Sequence, residues 1–178
     1  MPSRRTFIQT TGSLAAGAAL TPLAWSRLNA GVSQNDKLTV ALVGCKGMGM
    51  YNLTDHLKQP GITCAALCDV DNNILQERTK TITELTGKEP RRYRDYRQVI
   101  DDKDIDIVII GTPDHWHCLQ MADACAAGKD VYVEKPVGNS IAECEVMVAA
   151  QQKYNRAVQC GQWQRSMPHF IDALNFLK

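Results

Sequence analysis

The chain has 178 residues, 44% of them hydrophobic and 22% charged, with a formal charge of +1. That length accommodates one domain with a substantial core and hardly two, and the composition is that of an ordinary globular chain. No basic stretch interleaved with aromatics is present, which excludes nucleic acid as an expected partner.

Charge is unevenly placed. Residues 1–30 hold Arg4, Arg5 and Arg27 and no acid, so the remainder is net negative. Ser3 to Gln9 (SRRTFIQ) joins paired arginines to Phe7 and Ile8, and an Ala- and Gly-rich stretch runs from Gly12 to Trp25. Leu28-Asn29-Ala30 then offers a small residue for cleavage. Residues 1–30 resemble a twin-arginine export signal. An amphipathic helix is the alternative, which the Gly, Ala and Thr content serves poorly. The signal implies the twin-arginine export machinery as a partner, a periplasmic location and no stable membrane anchor after its removal. No later apolar run approaches the ~18 residues of a membrane span. Residues 31–36 (GVSQND) read as a polar linker.

The stretch Lys37 to Gly49 (KLTVALVGCKGMG) predicts a short buried strand, a glycine turn and the start of a helix. Such a junction aims backbone N–H groups and the positive end of a helix dipole at one point, which suits a phosphate. Gly44 and Gly49 fit the first and third positions of G-x-G-x-x-G, while Lys46 occupies the second and Gly47 follows it. By itself the turn fits equally well as a plain link between strand and helix in any α/β fold.

The first helix is expected from about Met48 to Gln59, stopping at Pro60-Gly61. A second strand, Ile62 to Cys68, ends in Asp69-Val70-Asp71, and a helix from Asn72 closes at Gly87. Arg92 to Arg94 predict a short third strand, and Asp95 with Gln98 a capping pair for a short helix to Asp101. Ile105 to Ile110 form a fourth strand buried on both faces in its second half. Asp114 is placed to cap a helix to Ala127, closed by Gly128. Val131 to Val133 make a fifth strand, Ser140 and Glu143 a capping box for a helix to about Asn155, and Ala157 to Cys160 a sixth strand. This alternation predicts an α/β fold, a doubly wound parallel sheet of Rossmann type with helices on both faces. Pro168 to Lys178 read as a helix beginning to bury Phe170, Leu174 and Leu177, and the chain is expected to be a fragment of something longer.

Seven cysteines are present, an odd number without a C-x-x-C pair, most of them inside apolar patterns. They are expected to pack as small hydrophobes, with no structural disulfide and no metal site.

Asp69 stands 20 residues after Gly49 at the end of a strand, where a dinucleotide fold places an acid against the adenosine ribose hydroxyls. The alternative is a turn aspartate. A carboxylate there favours NAD over NADP, though Lys46 could offset its repulsion of a 2′-phosphate. Thr112 to His117 (TPDHWH) follow strand four and Glu134-Lys135-Pro136 follow strand five, both at the carboxyl ends of parallel strands, where open α/β sheets bind ligands. His115 and His117, as H-x-H without a third ligand, do not make a metal site.

The segments VGCKGMG, CDVD, TPDHWH, AGKDVYVEKP and QCGQWQRS, in this order and spacing, resemble the family of glucose–fructose oxidoreductase and inositol dehydrogenase (Gfo/Idh/MocA) over roughly residues 36–178. The G-x-x-G-x-G turn and the twin-arginine start resemble its exported branch. The resemblance implies an NAD-dependent oxidoreductase, with NADP the lesser alternative, acting on a small carbohydrate. It places Gly44, Gly47, Met48 and Gly49 against the pyrophosphate and Asp69 on the adenosine ribose. Thr112, Pro113 and His117 would line the cofactor, Glu134 would bind the nicotinamide ribose, and Gln162 and Arg165 would face nicotinamide or substrate. Lys135 would lie between nicotinamide and substrate as the catalytic group. The family's second α/β domain carries most substrate contacts. Residues 37–165 are therefore expected to be the NAD(P)-binding domain and 166–178 the start of a truncated substrate domain, with a homo-oligomer expected only of a full-length protein. A redox-neutral, NAD-dependent glycosidase and a non-catalytic NAD-binding fragment are the alternative functions.

Overall fold

The computed structural model describes residues 37–178; the expected export signal and linker lie outside them. Six strands form one parallel sheet in the order β3-β2-β1-β4-β5-β6. They are β1 (Leu38–Val43), β2 (Ile62–Cys68), β3 (Arg91–Tyr93), β4 (Ile107–Ile110), β5 (Asp130–Val133) and β6 (Val158–Cys160). Helices connect them: α1 (Gly47–His56), α2 (Asn72–Thr86), α3 (Tyr96–Asp101), α4 (His117–Ala126), α5 (Ile141–Tyr154) and, after β6, α6 (Pro168–Phe176).

Alternation along the strands divides the core between the two faces. Val40, Leu42 and Ile109 meet Leu53 of α1 and Leu75 and Ile82 of α2. Ala41, Val43, Val108 and Ile110 face Val99 of α3, Met121 of α4 and Met147 of α5. Each fully buried Leu or Ile contributes about 1.5–3 kcal/mol. In β2, Val40 pairs with Cys64 but Ala41 pairs with Ala66, so Ala65 is an extra residue. This bulge changes the phase of the strand. Cys64 and Leu67 share one face although three residues apart, and Cys68 faces the other core just before Asp69.

Helix ends follow their residues. Asp71 accepts from the N–H groups of Asn73 and Ile74, Asp95 from Arg97, and Ser140 Oγ from Glu143 N–H. Glu143 returns its carboxylate to Asn139 N–H at 2.6 Å, one residue before the expected partner. Gly87 ends α2 in the left-handed region at φ 73°, and Asn155 does the same for α5 at φ 51°.

Three expectations are corrected. β4 begins at Ile107, because Asp106 turns its carboxylate back to Thr39 N–H at 2.8 Å. Asp114 does not cap a continuous helix; residues Asp114–Trp116 form a 3-10 turn and α4 starts at His117. Helix α6 exists, but Phe170, Leu174 and Leu177 are exposed, its main packing among the described residues being on the turn before it. All seven cysteines are free thiols.

Candidate cofactor-binding site

Strand order reverses between β1 and β4, and a cleft of about 790 Å³ opens at their carboxyl ends, within the range of small-molecule sites. Its floor is a contact of bare backbone. A Cβ on Gly49 would lie 2.1 Å from the Gly44 carbonyl oxygen, and one on Gly111 would lie 2.5 Å from Gly49 Cα. A Cβ on Gly44 would meet Gly111 and Thr112 backbone at 2.7 Å, and Gly44 already has φ +88°. Gly47 differs, being glycine for its φ of +44° with open space around it.

The turn these glycines form is tied to β2. Gly44 N–H donates to Cys68 O at 2.9 Å, and Cys45 N–H donates to Asp69 Oδ2 at 2.8 Å. Asp69 Oδ1 accepts from Asp71 N–H at 3.0 Å. Each carboxylate oxygen keeps a second lone-pair direction, so Asp69, which lines the cleft, can still accept from ribose hydroxyls. Helix α1 carries no side-chain cap at Lys46, unlike α2, α3 and α5. The N–H groups of Gly47 and Met48 are left for an anion, that of Gly49 donating to Lys46 O at 3.1 Å. Lys46 Nζ lies 3.4 Å from Asp71 Oδ2 on the surface. Bonds from the Ile74 and Asn73 N–H groups, and then Lys46, hold the Asp71 carboxyl below its ordinary range.

Arg94, Tyr96 and Arg97, which sequence reasoning did not assign to the cleft, also line it, together with Trp116 of the TPDHWH segment. Arg97 lies 4.8 Å over the Tyr96 ring, and Tyr96 meets Trp116 edge-on at 6.4 Å. Burial, then the hydrogen bond to Asp123 at 2.7 Å, pushes the Tyr96 phenol up to about 12. The signal was present in the apolar-plus-aromatic pattern of α3, but nothing in it marked the exposed side as a wall. Thr112 and Pro113 line the cleft as expected, with Thr112 Oγ1 donating to Gln120 Oε1 at 2.8 Å.

Other expected residues stand apart from the cleft lining. His117 is 1% exposed; its Nδ1 lies 2.7 Å from Pro136 O and its Nε2 2.8 Å from Thr112 O. A neutral ring has one N–H, so both contacts are hydrogen bonds only when both nitrogens carry protons. Glu134 is 4% exposed, its Oε1 accepting from Asn52 Nδ2 at 2.7 Å and its Oε2 from Lys135 N–H at 3.1 Å. Lys135 is exposed and makes no ion pair among the described residues. Gln162 and Arg165 are exposed beyond β6, Arg165 Nη1 donating to Gln162 Oε1 at 3.4 Å. Asn52 and Gly111 were missed. Their signals were a polar residue within the buried stripe of α1 and a glycine directly after β4.

Residues 38–162 match the family model described as "Oxidoreductase family, NAD-binding Rossmann fold" (GFO_IDH_MocA). The chain belongs to this family. Inositol 2-dehydrogenase from Salmonella typhimurium is 31% identical over 140 residues, covering 75% of this chain and 40% of that protein. A glycosyl hydrolase family 109 protein from Shewanella pealeana is 28% identical over 160 residues, covering 80% and 35% respectively. The fold matches myo-inositol 2-dehydrogenase from Lactobacillus plantarum with a TM-score of 0.71 at 26% identity, over 79% of this chain and 41% of that one. The chain thus spans about 35–40% of the length of these curated relatives. The backbone cradle that any Cβ would fill, the uncapped helix and Asp69 suit the two phosphates and adenosine ribose of NAD. This is an NAD-binding Rossmann domain.

Proposed function

We propose that this domain carries NAD for an oxidoreductase that moves hydride between the hydroxyl carbon of a sugar or sugar alcohol and the nicotinamide. The observation that carries this reading is the gathering of the glycine turn, Asp69, Thr112 and the Glu134–Pro136 segment at one edge of an NAD-binding sheet, in a chain similar to an inositol 2-dehydrogenase. NAD supplies the hydride acceptor. Gly47 and Met48 offer the pyrophosphate their backbone N–H groups, while Gly44 and Gly49, whose own N–H groups donate to Cys68 O and Lys46 O, keep the backbone beside it bare. Asp69 holds the adenosine ribose, and Glu134, its carboxylate turned inward to Asn52, supports the segment that meets the nicotinamide ribose. Thr112 and Pro113 shape the wall, with His117 behind them. Lys135 holds the substrate hydroxyl and eases or relays its proton as the carbon is oxidised, work that contributes typically ~10²–10⁴-fold. Gln162 and Arg165 orient substrate or nicotinamide.

The test is Lys135→Met in protein expressed from its complete reading frame. NAD binding should persist while NADH formation from inositols and alditols falls at least about a hundredfold. Loss of NAD binding with turnover unimpaired per bound cofactor would overturn the assignment.

The glycosyl hydrolase relatives favour a second reading, a redox-neutral glycosidase in which NAD is reduced and reoxidised within one turnover. Aglycone release without net NADH, and without added NAD, separates it from the dehydrogenase. The arginine pair near the N-terminus supports export in a folded state. A protein working outside the cytoplasm must carry its cofactor, which calls for a Kd near nanomolar, roughly −12 kcal/mol. Arg4→Lys with Arg5→Lys should retain the protein in the cytoplasmic fraction.

A further inference from the structure

We propose that Asn52 and His117 are positioning residues that lock Glu134-Lys135-Pro136 to the two loops holding NAD, so that the backbone of Lys135 is fixed by the elements that fix the cofactor. This rests on the reading of Lys135 above as the residue that meets the reacting carbon.

Lys135 is exposed, yet each of its neighbours in sequence is gripped by a buried side chain from a different helix. On one side Asn52, three residues past Gly49 on α1 and 4% exposed, donates to Glu134 Oε1 at 2.7 Å. Helix α1 is the one whose N-terminus forms the glycine turn. On the other side His117, the first residue of α4, spans Pro136 O and Thr112 O at 2.7 and 2.8 Å. Thr112 belongs to the cleft wall. One bridge therefore joins the Lys135 segment to the pyrophosphate turn, and the other joins it to the loop after β4.

Nothing leaves Glu134 free to swing toward β6. A Cβ on Gly161 would sit 2.6 Å from Glu134 Oε1 and 3.2 Å from the Tyr132 hydroxyl, so even the glycine backbone closes that side. The segment's main chain is held as well, Glu134 N–H donating to Ile110 O at 3.0 Å and Lys135 N–H to Glu134 Oε2 at 3.1 Å. An apolar side chain at position 52 would leave Oε1 of the buried Glu134 carboxylate without its partner, and one at 117 would remove the ring that spans the Pro136 and Thr112 carbonyls. Buried groups left without partners relax toward water, which here means moving the segment that carries Lys135.

Native-state amide hydrogen exchange of the chain, with and without saturating NAD, tests this. In the unaltered protein NAD should slow exchange of the Glu134 and Lys135 amides, although neither lies in the glycine turn. In Asn52→Leu and His117→Phe the same two amides should exchange about tenfold faster or more, while Leu67 and Leu75 in β2 and α2 keep their rates and NAD no longer slows the pair. His117→Gln, which retains one donor, serves should the phenylalanine variant fail to fold, and should show a smaller, one-sided effect. Unchanged Glu134 and Lys135 rates in the variants, or acceleration spread evenly over the sheet, would overturn the proposal. The exchange experiment needs no turnover. A locked segment with a dispensable Lys135 would sink the catalytic reading alone, and a mobile segment around an essential Lys135 would sink only this one.

Discussion

Gly49→Ala is the sharpest probe of the cofactor turn. The added Cβ would stand 2.1 Å from the Gly44 carbonyl oxygen and 3.3 Å from Gly111 Cα. Reaching an ordinary contact requires backbone to shift by roughly 1 Å, because the obstacle is a main-chain atom and not the end of a flexible side chain. Gly44 has little freedom to retreat, since its N–H is tied to Cys68 O at 2.9 Å. The expected loss of stability is about 2–4 kcal/mol by urea denaturation, and displacement of the helix N-terminus should weaken NAD binding by ~10²-fold in calorimetry. Gly47→Ala is the control, with open space around the new Cβ and only its φ of +44° to strain, so about 1 kcal/mol is expected. Gly111→Ala attacks the same contact from β4, and the double variant with Gly49→Ala should cost less than the two effects added. If Gly49→Ala matches Gly47→Ala within about 0.5 kcal/mol, the backbone-contact argument fails.

Lys129 lies 5% exposed with Nζ donating to Asp102 O and Ile105 O at 2.6 and 2.7 Å, and Lys129→Met should lower stability by about 2–4 kcal/mol in urea melts. Burial pushes the Cys64 and Cys68 thiols up to about 12, and that of Cys45 up as well. Their contribution is whole below the unfolded thiol pKa of roughly 8.5 and is lost as pH rises through the folded values, so melting temperature should fall from about pH 9 upward. Lys129, held low by burial, acts in the opposite direction over the same range, and Lys129→Met should steepen the fall. Asp69→Asn turns an amide N–H toward a backbone N–H at Cys45 or Asp71. It should weaken NAD binding about tenfold while narrowing the preference over NADP, read by parallel titrations.

The sheet was legible where pattern and punctuation agreed. β2 runs from Ile62 to Cys68 as expected, and Gly87 ends α2. The glycine turn was legible as a strand-to-helix junction, but the reason for each glycine was not, because Gly49 and Gly111 answer to each other across the sheet and not to a local turn. The same limit applied to Glu134 and His117. Sequence put them at the right edge, yet a polar residue at a strand end can face the cleft or turn inward, and the choice rests on distant partners such as Asn52. Phe170, Leu174 and Leu177 showed helical spacing, which reports an apolar face and not whether anything covers it. The bulge at Ala65 left no trace in composition, since it is a matter of register between strands.

The pairing of β1 with β4 has a consequence for assembly. Thr39 and Asp106, which close the lower end of that pair, are 67 residues apart in the chain, and β2, β3 and three helices lie between them. Neither half of the chain can form the cleft by itself, because its floor joins a glycine from each. Such distant pairing is entropically costly and slow to form. NAD can therefore recognise only chains in which this long-range closure is complete. At about a hundred times its Kd it would favour them by about 2.7 kcal/mol, acting as a ligand of the finished sheet and of no partly folded form.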